Sequence, residues 1–342
     1  MLRYIIRRTL WSVAMLVLCS AVVFAIFYIL PTADPAKLRA GRAADPEKIE
    51  TIRKSLGLDD PKYQQFLRYI GGVFTPYKNE AKGVDGPLDF GTSIFQNNKP
   101  VREIILDRLP ATVFLVTGAV VIWLAIAIPV GIISAVKRRS LLDRTTMITS
   151  LAFISAPVFW LGLVALYLFA NDVGKLNDVP PFGIDLAIFP GIGSYNDAET
   201  FGSRAESLIL PWLVLAAATA AIYARYLRSQ LIDVMSEDYI RTARAKGLSE
   251  QRVIWRHGVR SAITPIITLL GLDIGVLLAG NAILTESVFN IPGIGKETVT
   301  AIGDSDLPLI QGIVLFGAFF IVIFNLIVDI LYAYLDPRVR YQ

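Results

Sequence analysis

Apolar residues along the chain fall into long blocks that charged and polar stretches separate. Six blocks are long enough to cross a hydrocarbon core about 30 Å thick, which takes about 20 apolar residues in a helix. The predicted spans are residues 10–30, 111–136, 147–170, 208–226, 263–284 and 309–335. The pattern predicts an all-α integral membrane protein with six transmembrane helices. Prolines that can kink these helices stand at Pro129, Pro157 and Pro265.

Basic residues are concentrated in alternate connections between the spans. The N-terminal start, the connections after spans two and four and the C-terminal tail hold 17 Lys and Arg, against 3 after spans three and five. Cytoplasmic loops carry such an excess, whereas a long translocated loop does not obey the rule. Both termini are therefore predicted to be cytoplasmic. A cleaved signal peptide is not favoured, because the first apolar block exceeds a signal-peptide core of about 7–15 residues.

The predicted spans divide the chain into three regions. Residues 1–30 hold the cytoplasmic start and the first span, residues 31–110 lie outside the membrane, and residues 111–342 form a core of five spans. The outer region has 13 Lys and Arg and 11 Asp and Glu, so it is predicted to be water-exposed and nearly neutral. It would either receive a soluble partner or only cover the ends of the spans.

Helix start and stop signals recur in this outer region. Asp45-Pro46-Glu47 is typical of a helix start, and Gly57 is typical of a stop. Asp60-Pro61 and Gly71-Gly72 repeat the pattern. A third short helix is predicted over residues 100–109, with irregular structure between about 75 and 98. The outer region is thus predicted to be a small helical extracytoplasmic cap.

Composition narrows the possible functions. The 342 residues are 54% hydrophobic and only 18% charged, against about 25% charged in soluble domains. The net charge of +4 lies in cytoplasmic connections and does not favour nucleic-acid binding. Cys19 and His257 are the only residues of their types, which excludes disulfide frameworks, paired-histidine metal sites and most histidine-driven catalysis. An intramembrane protease is not favoured, because the lone histidine lies in a cytoplasmic loop.

Gly293-Ile294-Gly295-Lys296 resembles part of a phosphate-binding loop but fails the full pattern. The GxxxxGK[ST] motif requires glycine at position 290 and serine or threonine at 297, where the chain has Asn290 and Glu297. No nucleotide or other cofactor site is predicted in this chain. The energy for any transport must therefore come from outside it.

Asp273 is the clearest charge at membrane depth. It lies about ten residues into span five, which at 1.5 Å per residue is about 15 Å deep. Gly271 and Gly275 flank it in a GxxxG pair that lets another helix approach closely. Asp273 and Asn281 either line a translocation path, where Asp273 would meet a substrate ammonium, or Asp273 bonds a neighbouring helix. An ion-coupled carrier would need more such charges and an inverted repeat.

The cytoplasmic loop 225–262 carries eight basic residues and predicts two short helices. Glu237-Asp238 is an acidic helix start, and Gly247 is the predicted stop. Ser249 is the predicted N-cap of the second helix. Such a pair fits a groove on a cytoplasmic partner, and the alternative is a basic face on anionic lipid. Small side chains at Ala243 and Ala245 favour docking to a partner.

Several stretches resemble the ABC importer permeases of the dipeptide/oligopeptide/nickel family. Residues 238–249 resemble the EAA-type loop of that family, although Arg241 stands where the general pattern has glutamate. Residues 286–295 resemble its outer segment before the last span. Residues 1–8, 56–61 and 108–112 also match. The chain resembles the first of the two permease subunits, the one with the longer outer loop.

The resemblance implies a type I ABC importer permease fold and a set of partners. These are a second related permease subunit, two ABC ATPase subunits that bind ATP and Mg²⁺, and an extracytoplasmic substrate-binding protein. The chain itself would be a multi-pass translocation subunit of a prokaryotic inner membrane and not an enzyme. Its expected substrates are di- or oligopeptides, with nickel chelates or oligosaccharides as the alternative.

The resemblance also assigns roles to two sets of residues. The ATPase-coupling loop would comprise Asp238, Tyr239, Arg241, Thr242, Ala243, Arg244, Ala245, Lys246, Gly247 and Leu248. The outer gate segment would comprise Glu286, Phe289, Pro292, Gly293 and Gly295. Closing of the ATPases would be transmitted through the coupling loop as rigid-body rocking of spans two to five.

Overall fold

The computed structural model describes residues 2–29, 36–37, 45–55, 57–74, 77–79, 84–86, 89–171 and 188–335. The helices in these ranges are α1 Leu2–Phe24, α2 Pro46–Ser55, α3 Lys62–Phe74, α4 Val101–Val136, α5 Leu141–Ser155, α6 Val158–Phe169, α7 Phe201–Met235, α8 Asp238–Ala245, α9 Glu250–Arg252, α10 Arg260–Ala262, α11 Thr264–Val276, α12 Ile283–Val288, α13 Ile294–Asp304 and α14 Leu307–Leu335. Stretches of π-helix are π1 Ala25–Ile29, π2 Val253–Val259 and π3 Leu277–Asn281.

The described helices confirm an all-α membrane fold. Those long and apolar enough to cross a bilayer are Ile5–Ile29, Val101–Val136, Phe201–Met235, Thr264–Asn281 and Leu307–Leu331. The bent pair of α5 and α6 completes six when it is counted as one span. At 1.5 Å per residue the 36-residue α4 is about 54 Å long, so it extends beyond the hydrocarbon core.

The third predicted span is not one continuous helix. Helices α5 and α6 meet at 101°, and the break lies at Ala156-Pro157. Ala156 has a ψ of 125°, because the ring of a following proline pushes a residue out of the α-helical region. Pro129 lies inside continuous α4. Pro265 stands in the first turn of α11, directly after the break at Ile263 that separates α10 from α11.

The two helices predicted in the outer region are present. Helix α2 matches its start and stop signals, and Gly57 has the left-handed φ of 61° of a helix stop. Helix α3 continues through Gly71-Gly72 to Phe74, so the predicted stop was wrong. The physical reason is burial: Val73 is packed in a cluster with residues of α1, α4 and α14.

Two further predictions for the outer region were wrong. Residues predicted to be irregular include a short antiparallel hairpin of β1 Tyr77–Asn79 and β2 Val84–Gly86. The separate helix predicted over 100–109 is the first part of α4. Ile104 and Ile105 are buried, and their packing stabilises this first part of α4. The helix then continues through Pro110.

Two pairs of helices make the most extensive contacts in the described membrane core. Helices α4 and α7 pack along each other, with Trp123 and Tyr223 buried between them. Helices α11 and α14 form the second contact, where a Cβ at Gly271 would collide with Val328. A Cβ at Gly275 would lie 2.8 Å from the Cβ of Phe324. The close helix approach predicted from the GxxxG pair is confirmed.

Candidate functional site

The predicted coupling loop forms helix α8 with one buried and one exposed side. Ile240 and Ala243 are buried against Val253 of π2. The remaining side chains of the predicted helix are exposed: Asp238, Tyr239, Arg241, Thr242, Arg244, Ala245 and Lys246. Leu248 is half-buried and packs on the same cluster. Helix α8 is therefore held on the protein by two small or branched residues and presents a mainly polar surface.

Gly247 ends this helix in a left-handed conformation. Its φ is 76°, and its amide donates to the carbonyl of Arg244 at 2.9 Å. No atom lies within 4 Å of the position that a Cβ would occupy. The position therefore needs glycine for its backbone conformation and not for lack of space. Ser249 starts the next helix with extended backbone, but its side chain makes no cap hydrogen bond.

Arg244 and Glu250 join the two helices across the Gly247 turn. Arg244 Nη2 lies 2.8 Å from Glu250 Oε1, and Nε donates to Oε2 at 3.1 Å. The guanidinium lowers the pKa of the Glu250 carboxyl, and the carboxylate raises the pKa of Arg244. Both side chains are well exposed, so the pair stabilises the turn only modestly.

An ion pair between a buried carboxylate and a half-buried arginine holds the cytoplasmic end of the core. Arg228 of α7 donates to both carboxylate oxygens of Asp143 of α5, at 2.7 and 2.9 Å. The amide of Arg139 donates to the same carboxylate at 2.8 Å. This bidentate pair fixes α5 to α7 close to where α7 leads into α8. Sequence reasoning missed it, since nothing local links residues 85 positions apart.

The predicted outer gate residues converge on the buried carboxylate of Glu286. Thr112 of α4 donates its hydroxyl to Oε1 at 2.7 Å, and the amide of Lys296 donates to Oε2 at 2.9 Å. The hydroxyl oxygen of Thr112 also accepts the amide of Ile294 at 2.9 Å. Burial raises the pKa of Glu286, and these hydrogen bonds offset part of the rise. The carboxylate thus ties α12, the 290–296 turn and α4 together.

Two glycines allow the outer turn to pack this closely. A Cβ at Gly293 would collide with the Glu286 carboxylate. A Cβ at Gly295 would lie 2.7 Å from the carbonyl oxygen of Gly280 and 2.8 Å from the Cα of Ile283. Gly280 itself has a φ of 99° and marks the break between π3 and α12. The start of α13 therefore crosses this break at backbone contact distance.

The other predicted gate residues, Phe289 and Pro292, differ in burial. Phe289 is buried, and its carbonyl accepts the amide of Gly193 at 3.0 Å. Pro292 is half-buried in the turn. Asn290 ends α12 with a left-handed φ of 57°, and its side chain accepts a hydrogen bond from the Lys296 ammonium. The segment that the motif outlines is therefore one tightly bonded structural unit.

Two more acidic residues attach this unit to the outer region, and the sequence did not reveal them. Glu297 accepts from Arg108 Nε at 2.9 Å and from Gln96 Nε2 at 2.5 Å. Asp306 is buried and accepts from the hydroxyl of Ser93 and from the amide of Ile94. These bonds fix the 93–97 turn against the outer ends of α13 and α14.

Asp273 and Asn281 are not brought together. Tyr223 of α7 donates its hydroxyl to Asp273 Oδ2 at 2.5 Å, which is the neighbouring-helix bond that the sequence left open. Asn281 is exposed at the end of π3, eight residues further along the chain. Asp273 is half-buried, so the carboxylate keeps some access beyond Tyr223.

A largely apolar groove of about 760 Å³ opens among α4, α5, α6 and α7. Helix α5 contributes the hydroxyls Thr145, Thr146, Thr149 and Ser150. Phe153, Phe169 and Phe189 are the aromatic residues of its wall. None of the residues predicted for the coupling loop, path or gate lines it. The bend between α5 and α6 leaves this space beside α7.

The amino-acid sequence matches two family models of transport proteins. A family model described as "Binding-protein-dependent transport system inner membrane component" matches residues 127–341. A model of the N-terminal part of such membrane components matches residues 1–116. The chain is 38% identical over 342 residues, the full length of both chains, to the "Glutathione transport system permease protein GsiC" of Escherichia coli (strain K12). The proteins of that name from Shigella dysenteriae serotype 1 (strain Sd197) and Salmonella paratyphi A are equally similar.

Proposed function

The chain belongs to the family of binding-protein-dependent transport system inner membrane components, and we propose that it carries small peptides, glutathione among them, into the cytoplasm. It is a permease component of an ABC transporter of the peptide and glutathione type in the inner membrane. Its relatives are transport components rather than enzymes. The observation that supports the substrate class is the 38% identity, over the whole of both chains, to glutathione permeases.

The proposed transporter contains two permease subunits and two ATPases. Membership of the family implies an ATPase partner and a binding protein. We propose that this chain pairs with one related permease subunit, and that α8 lies in a groove on one of two ATPases. Two features support this role: the exposed polar side of α8, and its attachment to the protein through Ile240 and Ala243. A helix that is packed on the protein in this way can transmit a displacement to the core.

The bonded outer unit is the proposed outer gate. Its residues are joined through the carboxylate of Glu286. This carboxylate accepts hydrogen bonds from α4 and from the start of α13. A rigid unit of this kind can move as one body when the spans rock. The half-buried Asp273 remains a proposed path residue that meets the ammonium group of a peptide.

Uptake by the complete transporter tests the substrate class. We expect ATP-dependent accumulation of radiolabelled glutathione or dipeptides in proteoliposomes that contain the permease pair, the ATPases and the binding protein. Unlabelled nickel chelates and oligosaccharides should not compete. Competition by either of these, with none by peptides, would contradict the proposed substrate.

A charge-neutral variant tests the path role of Asp273. Asp273→Asn keeps an acceptor for the Tyr223 hydroxyl but removes the charge that would meet an ammonium. We expect uptake of peptides with a free amino terminus to fall about tenfold, the effect of about 1.4 kcal/mol. Amino-terminally acetylated peptides, which lack the ammonium group, serve as the control. The ratio of uptake of free to acetylated peptides should fall in the variant. The same ratio in the variant and the wild type would contradict a path role for Asp273.

A further inference from the structure

The helical run from Glu250 to Ala262 has an exposed face that the coupling role does not use. This face carries Arg252, Trp255, Arg256 and Arg260, all exposed, and it is called the basic face below. Trp255 has 61% of its surface exposed, and unlike the exposed Trp11 and Trp160 it lies outside the predicted membrane spans.

The opposite side of this run is fully occupied by the protein. Val253 packs on Ile240 and Ala243 of α8. Gly258 lies against α7, where an added Cβ would be 2.9 Å from Met235 Sδ. The basic face therefore points away from both α7 and α8. An ATPase that receives α8 would approach from the other side of the run.

The winding of π2 aligns the three arginines. Arg252, Arg256 and Arg260 are each four residues apart. A π-helix takes more residues per turn than an α-helix. A step of four residues through Val253–Val259 is therefore slightly less than one full turn, whereas in an α-helix it is slightly more than one turn. Both four-residue steps cross this π-helical stretch, so each stays close to one full turn and the three arginines lie on one broad face.

The position of the run gives this face its partner. Arg260 lies four residues before Thr264, where span five begins, which is about 6 Å along a helix. The cytoplasmic leaflet carries anionic lipid, and tryptophan is enriched at the level of the lipid headgroups. We propose that the basic face binds anionic phospholipid headgroups, with Trp255 inserted at the interface and the three arginines pairing with phosphates.

Quenching of Trp255 by brominated lipid tests this proposal. The complete transporter is placed in nanodiscs of phosphatidylcholine with a minor fraction of brominated phosphatidylglycerol or, for comparison, brominated phosphatidylcholine. The difference in quenching between wild type and Trp255→Phe isolates this tryptophan from the other four in the chain. We expect brominated phosphatidylglycerol to quench Trp255 severalfold more strongly, since three arginines correspond to at most roughly 100-fold enrichment of anionic lipid.

A matched pair of triple variants identifies the source of the preference. R252Q/R256Q/R260Q should reduce the ratio of quenching by the two lipids to about one. R138Q/R144Q/R225Q removes the same charge from exposed cytoplasmic positions outside the basic face and should keep the ratio.

Three results would overturn the proposal. Equal quenching by both lipids in the wild type would show no anionic preference, and an equal loss in both triple variants would show a general charge effect. Quenching that appears only after the ATPases are stripped off would assign the face to an ATPase. None of these readouts depends on the transported substrate.

Discussion

At the scale of single residues, the hydroxyl of Thr112 links α4 to the proposed outer gate. It donates to Glu286 and accepts the amide of Ile294, and both partners are buried. Thr112→Val keeps the shape but leaves these groups without their partner. We expect a loss of stability of about 1–3 kcal/mol, measured by thermal unfolding of the purified transporter. Thr112→Ser restores the hydroxyl and should unfold close to wild type; equal losses in both variants would refute the role of this hydroxyl.

The raised pKa of Glu286 makes stability depend on pH. Its folded-state pKa lies above the ordinary value of 4.5, so folding favours the protonated form. The contribution of this group is therefore fully present below about pH 4.5 and is lost as the pH rises through the folded-state pKa. Glu286→Gln cannot ionise, so its unfolding temperature should fall less than that of wild type as the pH rises from 4 to 9. Parallel curves for the two proteins would contradict this assignment.

Sequence reasoning found the residues of the outer segment but not their partners. The resemblance of residues 286–295 to a known family segment identified Glu286, Gly293 and Gly295. The structure places these three residues in one packed unit. Thr112 lies 174 positions from Glu286, and no local pattern predicts such a contact. The ion pair of Arg228 and Asp143 was missed for the same reason. Local signals reveal turns and caps, whereas these pairings arise only once the helices pack.

At the scale of elements, the turn at Gly247 sets the angle between α8 and the helices that follow. Its φ of 76° is unfavourable for most residues with a Cβ, and most unfavourable for β-branched residues. Gly247→Val should therefore displace α8 and uncouple ATP hydrolysis from uptake by about tenfold or more. The measurement is the ratio of uptake to ATP hydrolysis in proteoliposomes.

Gly247→Asn provides the matched control for this turn. Asparagine tolerates the left-handed conformation, and space around the Cβ position is open. The variant should retain most of the coupling. Normal coupling in Gly247→Val would show that the turn does not position α8 for an ATPase.

The elements also show why some boundaries were predicted and others were not. Helix α2 ends where Gly57 forces a stop, but α3 runs through two glycines because Val73 is buried beyond them. The third span breaks at Pro157, where a local rule predicts a kink but not a bend of 101°. Local propensity therefore fixed the helix ends only where packing did not oppose it.

At the scale of the whole molecule, one helix links the proposed coupling loop to the proposed outer gate. Helix α7 runs for 35 residues from Phe201 to Met235 and ends directly before α8. It packs along α4, which carries Thr112 at the outer side, and Arg228 ties it to α5 at the cytoplasmic side. We infer that motion of α8 would reach the outer gate through this pair of long helices.

Function in a transporter that depends on partner ATPases is the central claim, and affinity purification of the tagged chain in mild detergent tests it most directly. Mass spectrometry should identify ABC ATPases and a second, related permease subunit, and solute should enter liposomes only with this assembly and ATP. A chain that purifies alone and still moves solute in liposomes without ATP would contradict the claim and indicate a carrier.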